Sequence, residues 1–106
     1  MAVALRVERD PEISGLSASP PQIFTGPCTP TTTLTEATVT DESPIASVTL
    51  NWGGQQAPMT QRSGRWFARL GPVAAPGTVP WTVVATDNRG NSASASGPPV
   101  RVLACR

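Results

Sequence analysis

The chain contains no histidine, no tyrosine and no lysine, so arginine carries all of its side-chain positive charge. Without histidine it lacks the usual general base and the commonest metal ligand. Without lysine it cannot form a Schiff base. The remaining residues supply no nucleophile–base pair, no carboxylate pair and no phosphate-binding glycine loop. We therefore expect a protein that is not an enzyme, has no catalytic residues and needs no cofactor.

Charge and long apolar runs are also scarce. Charged residues make up 14% of the 106 positions, and the formal net charge is +1. The eight arginines are scattered from Arg6 to Arg106, whereas nucleic-acid and anionic-membrane binding usually need a basic patch. No segment approaches the roughly 18 apolar residues of a membrane span. We expect no nucleic-acid partner and no direct membrane insertion.

Proline and glycine instead divide the chain into short segments rich in Val, Thr, Ile, Ala and Trp. This spacing is typical of an all-β antiparallel sandwich, here of about seven strands. No helical periodicity continues for 12 residues or more without a Pro or Gly. The strands are predicted at about 12–18 with a second piece at 21–25, then at 32–40, 45–52, 57–61, 65–70, 79–86 and 91–104, the last one broken at 97–99.

The first ten residues differ from the rest. Val3, Leu5 and Val7 alternate with small or charged residues, which is an amphipathic strand pattern. We interpret 1–10 as a linker or the end of a preceding domain. The alternative is an added β-strand at 3–8 that pairs with the sheet edge of another chain.

Two cysteines allow one intramolecular bridge. If successive strands alternate in direction, the start of the 32–40 strand and the end of the last strand lie at the same end of the sandwich. Cys28 precedes the first and Cys105 closes the second. We predict a peripheral Cys28–Cys105 disulfide, which implies an oxidising compartment. The alternatives are two free thiols, or a metal pair that no histidine or further cysteine completes.

Short motifs recur along most of the chain, among them the turn Ala-Thr-Asp-x-x-Gly-Asn at 85–91. These motifs lie at 13–15, 19–20, 28, 37–41, 46–52, 59, 64–66, 70–72, 77–81, 84–91 and 105. In them the sequence resembles immunoglobulin-like domains in extracytoplasmic parts of actinobacterial proteins, over about 11–105. The resemblance implies an immunoglobulin-like domain at 11–106 that acts as a spacer or a binding module.

Few residues stand out as candidate sites. Asp41, Glu42 and Asp87 end two strands that run the same way, so they are weak calcium candidates; ordinary turn chemistry explains them more simply. Three tryptophans, at 52, 66 and 81, suggest a sugar platform, but their alternation favours the core. Phe67 points away from Trp66 and is the better candidate for an exposed contact, together with Val3, Leu5 and Val7.

Three functions remain open. The first is a non-catalytic extracytoplasmic module, secreted or on a cell or particle surface, that spaces domains or binds a protein partner. The second is a structural subunit of a fibre, virion or surface assembly, either with other proteins or with copies of itself, that docks through 3–8. The third is a carbohydrate-binding module.

Overall fold

The part of the chain described by this computed structural model, 10–41 and 43–105, is all-β and contains eleven strands and no helix. It accordingly holds no helix with the length and apolar character to cross a membrane. The strands are β1 (Glu12–Ser19), β2 (Gln22–Phe24), β3 (Thr33–Thr40), β4 (Ile45–Trp52), β5 (Gln55–Pro58), β6 (Thr60–Arg62), β7 (Arg65–Leu70), β8 (Gly77–Val79), β9 (Trp81–Asp87), β10 (Ser92–Ser96) and β11 (Val100–Leu103).

The strand number exceeds the expected seven because four strands are interrupted. Two breaks, at 20–21 and 97–99, coincide with the prolines that the sequence marks. A third lies at Pro80, which separates β8 from β9, because proline has no N–H to donate to a ladder. The fourth lies at Met59, inside the segment predicted as one strand over 57–61.

The break at Met59 moves the chain from one sheet to another. β5 pairs with β4, whereas β6 pairs with β7 in the other sheet. Met59 itself is buried, at 6% exposure, and its N–H donates to the Val48 carbonyl at 2.8 Å. The prediction of a single short strand here was wrong, because the chain crosses between the layers at this point.

The strands form layered, mainly antiparallel sheets. The first sheet has the order β1-β3-β7-β6 and the second has the order β10-β9-β4-β5. A three-stranded sheet, β2-β11-β8, continues the second, since β8 leads into β9 and β10 leads into β11. Within it, β2 runs parallel to β11.

The core lies between the two main sheets. Strands β3 and β9 alternate between buried and half-buried residues up to the exposed Thr40 that ends β3, which is the period of a sheet with one face inward. In β9 the buried apolar residues are Trp81, Val83 and Ala85, which alternate in the sequence with Thr82, Val84 and Thr86, and Val100 and Val102 of β11 are also buried. The buried apolar residues are Ile23, Ala37, Val39, Val48, Leu50, Met59, Leu70, Trp81, Val83, Ala85, Val100 and Val102.

Trp81 is the largest core side chain, with 1% exposure. Its indole Nε1–H donates to the Pro98 carbonyl at 2.6 Å, and its ring lies so close to Gly97 that a Cβ at that position would overlap it. The Gly97-Pro98-Pro99 break is therefore a packing feature. It lets the backbone pass directly over the indole.

The described chain enters and leaves the sandwich at opposite ends. Glu12, at the start of β1, is paired with Thr40, at the end of β3. At the other end, the backbone N–H of Cys105 donates to the Thr25 hydroxyl at 2.9 Å.

Candidate functional site: the Phe67–arginine face

The outer face of the first sheet collects the exposed side chains of β3, β7 and β6. In the ladder, Leu34 lies opposite Arg69, and Phe67 lies between Glu36 and Thr60. Arg65 lies opposite Arg62 across the β6–β7 hairpin. We call this surface the Phe67–arginine face, defined by Leu34, Glu36, Thr60, Arg62, Arg65, Phe67 and Arg69.

The β6–β7 turn sets the position of two of these arginines. Ser63 and Gly64 both have positive φ, 52° and 79°, as a two-residue hairpin turn of the primed type requires. Such a turn makes its flanking residues direct cross-strand neighbours. Arg62 and Arg65 therefore lie side by side, an arrangement of like charges that destabilises a sheet.

Glu36 balances one of these charges. Its carboxylate lies 3.4 Å from Nε of Arg65 and accepts a hydrogen bond from the Ser17 hydroxyl at 3.0 Å. The Arg65 side chain is 44% exposed and the Glu36 side chain 26%, so solvent screens the pair and it adds little stability. Its main consequence is that the Glu36 carboxylate is already paired with Arg65 and Ser17.

A groove of about 350 Å³ lies beside Phe67 on this face. Phe67 and Leu34 are half-buried, whereas Arg62 and Arg69 are exposed. Arg69 donates a long hydrogen bond, 3.3 Å, to the Thr32 hydroxyl. The groove is lined by Leu34, Thr60, Arg62, Phe67, Ala68 and Arg69, with no acidic residue among them.

The outer face of the second sheet is chemically different. It carries hydroxyl and amide side chains and only one sizeable apolar residue in β9, Val84, which is half-buried. Thr82 and Ser96 are within hydrogen-bond distance, at 3.3 Å. We call this surface the neutral face, and its other members are Ser47, Thr49, Asn51, Gln56, Pro58, Thr86, Ser92 and Ser94.

The predicted disulfide is present. Cys28 and Cys105 are bonded, with their Cα atoms 5.3 Å apart and 77 positions of separation in sequence. It lies at the end of the sandwich where β11 ends, next to the hydrogen bond from Thr25 N–H to the Leu103 carbonyl at 2.9 Å. The bond joins the loop between β2 and β3 to the segment after β11, and so it ties the three-stranded sheet to the loop that leads into the first sheet.

Asp87 stabilises the turn between β9 and β10. It is buried, at 2% exposure, and its Oδ1 accepts hydrogen bonds from the backbone N–H groups of Arg89 and Asn91, both at 2.9 Å. Burial raises the pKa of the Asp87 carboxyl, but hydrogen bonds from the Asn91 backbone, the Asp41 side chain and the Arg89 backbone outweigh it. The pKa of Asp87 is therefore held below its ordinary value.

The weak calcium candidates are only partly described. Asp41 and Asp87 do meet, as the strand directions predicted, and Glu42 lies outside the described residues. No group of three or more acidic, cysteine or histidine residues lies close enough for a metal site in 10–41 and 43–105. The hydrogen bonds to Asp87 are those of a turn.

The tryptophans do not form an exposed platform. Trp81 is buried, and Trp52 and Trp66 are half-buried and packed against the core. Val3, Leu5 and Val7, the candidate docking residues, lie outside the described residues. The docking strand at 3–8 therefore stays a prediction.

Sequence reasoning selected Phe67 and missed its surroundings. The arginines are not all scattered, because three of the eight converge on this face. A local signal was available, since Arg65, Phe67 and Arg69 alternate in β7 and the Ser63-Gly64 turn brings in Arg62. Leu34 has no such signal, because it arrives through the β3–β7 pairing.

Comparisons with known proteins add no family. No family model matches the chain, and no curated protein matches it either.

Proposed function

We propose that this chain is a non-catalytic, extracytoplasmic, immunoglobulin-like module that spaces domains and binds a protein partner through the Phe67–arginine face. The strand orders β1-β3-β7-β6 and β10-β9-β4-β5 support the immunoglobulin-like assignment, since such sandwiches place strands A, B, E and D in one sheet and C, F and G in the other. The opposite positions of the two chain ends support the spacer role.

The observation that carries the interaction role is the groove beside Phe67. Interfaces are enriched in aromatic and arginine side chains relative to the rest of a protein surface. On this sandwich, Phe67, Arg62 and Arg69 meet at one groove with an apolar floor. The neutral face offers only the small apolar residues Val84 and Pro58 among polar side chains, with no aromatic residue or arginine at its paired positions.

The disulfide supports the location. A Cys28–Cys105 bond persists in oxidising compartments and is rare in the cytosol. Mass spectrometry of the chain isolated natively, with thiols blocked at lysis, tests this part. We expect a bonded pair, and two free thiols would contradict an extracytoplasmic location.

The interaction role is tested by comparing Phe67→Ser with Val84→Ser. Both residues are half-buried, apolar and on an outer sheet face, so each variant loses one exposed apolar contact. The oxidised full chain and both variants are immobilised, and retention of proteins from the cell-envelope fraction is quantified. Proteins retained by the parent chain should be lost from Phe67→Ser and kept by Val84→Ser. Equal retention by all three chains would contradict the assignment of this face.

A further inference from the structure

The groove beside Phe67 has an excess of positive charge. Arg62 and Arg69 line it, and no acidic side chain does. Glu36, the acidic residue on the same face, is engaged by Arg65 and Ser17. Within the described part of the chain, Arg62 makes no ion pair, and Arg69 makes one long hydrogen bond to a hydroxyl.

Arg62 also lies directly opposite Arg65. Two like charges at a cross-strand pair repel each other, and of these two arginines Glu36 pairs only with Arg65. A carboxylate from outside the chain placed beside Arg62 relieves this repulsion. The guanidinium group suits such a ligand, because its planar N–H donors match a carboxylate in a bidentate pair.

The floor of the groove also calls for an apolar group on the ligand. Phe67 lies between the ladder positions of Arg69 and Arg62, and Leu34 lies opposite Arg69. The partial exposure of Leu34 and Phe67 means that a ligand side chain can remove further apolar surface from water. β6 is the last strand of its sheet, so an extended main chain can approach the groove from the open side. The volume of about 350 Å³ accommodates a few side chains rather than a folded domain.

We infer that the groove of the Phe67–arginine face binds an acidic peptide segment of the partner, one that alternates carboxylate and apolar side chains. This inference rests on the proposed function, since it names the partner chemistry for the same face. Carboxylates pair with Arg62 and Arg69, and an apolar side chain packs on Leu34 and Phe67.

A nucleic acid fits this surface less well. Nucleic-acid binding uses several phosphate contacts along a basic stripe, whereas only Arg62 and Arg69 remain available here and the net charge of the chain is +1. A sulfated sugar would use the arginines but gains little from Leu34 on the floor. Both ligands are therefore competing outcomes of the test.

The experiment is a titration of the oxidised, ¹⁵N-labelled full chain followed by NMR. The probe is a short capped peptide that alternates glutamate with leucine and phenylalanine, and its control replaces every glutamate with glutamine. We expect shifts confined to the groove residues and their neighbours, weakened by added salt. The glutamine peptide should bind at least about tenfold more weakly, since a hydrogen bond to a charged group is worth at least about one decade in affinity.

Matched variants test whether Arg62 and Arg69 bind the carboxylates of the peptide. Arg62→Gln and Arg69→Gln should each weaken binding by about tenfold, on the same reasoning. Arg101→Gln is the control, because Arg101 is exposed on β11, outside the first sheet. It should leave binding unchanged. The ¹⁵N spectrum of each variant verifies that the fold persists.

Several outcomes would overturn the inference. Absence of groove shifts with the acidic peptide would do so, as would equal binding of the glutamine peptide, or tighter binding of a single-stranded oligonucleotide or a sulfated oligosaccharide. Any of these leaves the proposed function standing as long as Phe67→Ser, but not Val84→Ser, loses the proteins retained by the parent chain. Failure of that comparison instead overturns the proposed function itself.

Discussion

The two outer faces of this sandwich are built on the same scaffold and differ in their side chains. On the Phe67–arginine face, apolar residues of two strands are surrounded by three arginines and one paired carboxylate. On the neutral face, threonine, serine, asparagine and glutamine cover the strands, and no charged residue is present among the paired positions described. Both faces cover the same core.

The difference shows where the sheet sequence is free of folding constraints. An outward position in a half-buried sheet needs only a side chain that tolerates water, and the neutral face meets that need with hydroxyl groups. The Phe67–arginine face instead exposes an aromatic ring and a like-charged cross-strand pair, Arg62 and Arg65. Neither feature is needed at an outward position, which is why the proposed function assigns binding to this face.

The largest expected effect comes from removing the Cys28–Cys105 disulfide, which stabilises the fold beneath both faces. Replacing both cysteines, Cys28→Ser with Cys105→Ser, should lower the free energy of unfolding by about 4–5 kcal/mol, because the bond closes a long loop in the unfolded chain. Denaturant unfolding of the oxidised parent chain and the variant measures this. If the bond links the segment after β11 to the loop that leads into β3, hydrogen exchange should accelerate in β3 and in β11 alike. Acceleration in only one of them would contradict that role.

A smaller loss of stability is expected from a substitution that disturbs the core beneath the neutral face alone. Gly97→Ala places a methyl group into the Trp81 ring, and overpacking of this kind costs about 1–3 kcal/mol. Thermal or denaturant unfolding gives the magnitude. Gly26→Ala is the matched control, since neither Gly26 nor Gly97 has positive φ and no heavy atom lies within 4 Å of a Cβ at Gly26. Equal destabilisation by both variants would show that the loss of glycine itself, not the overlap with the indole, explains the effect.

Acid should also weaken the second sheet, which carries the neutral face, because Asp87 at the end of β9 becomes protonated. Because the pKa of Asp87 is held below its ordinary value in the folded chain, its ionised form stabilises the fold at pH values above the ordinary carboxyl pKa. That stabilisation is lost as the pH falls through the depressed folded pKa. Melting temperature measured against pH should therefore fall less steeply on acidification for Asp87→Ala than for the parent chain. Parallel curves would contradict the assignment.

The smallest effect concerns the arginine pair. Arg62→Gln removes one member of the like-charged pair and should raise stability by about 0.2–1 kcal/mol at low salt. Arg101→Gln serves as the control and should change stability by less than about 0.5 kcal/mol. Denaturant midpoints at low and high salt provide the measurement, since salt should screen the gain. A loss of stability in Arg62→Gln would show that Arg62 has a structural role in place of a binding one.

The sequence predicted what depends on local patterns. The alternation in β9, the proline breaks at 20–21 and 97–99 and the Cys28–Cys105 bond all follow from spacing and strand direction. The crossing at Met59 did not, because a strand and its continuation in another sheet have the same local pattern. Pro80 lay inside a segment whose alternation continued on both sides of it.

The candidate site was half predictable for a similar reason. Phe67 and the arginines beside it in β7 are visible as an alternation, and the Ser63-Gly64 turn indicates the neighbouring Arg62. Leu34 and Glu36 reach the same face only through the β3–β7 register. That register depends on pairing between segments about 30 residues apart, where the side-chain pattern fixes the face but leaves the alignment to packing.

Site-specific photo-crosslinking at the two faces tests the central claim most directly. A photoreactive phenylalanine analogue is placed at Phe67 in one chain and at Val84 in another. Both oxidised chains are then added to the medium around intact cells of the kind that produces this protein, and crosslinking is started with light. Discrete adducts are expected with the analogue at position 67, and none above background at 84. Equal yields at the two positions, or adducts at 84 alone, would contradict the assignment of the Phe67–arginine face as the binding surface.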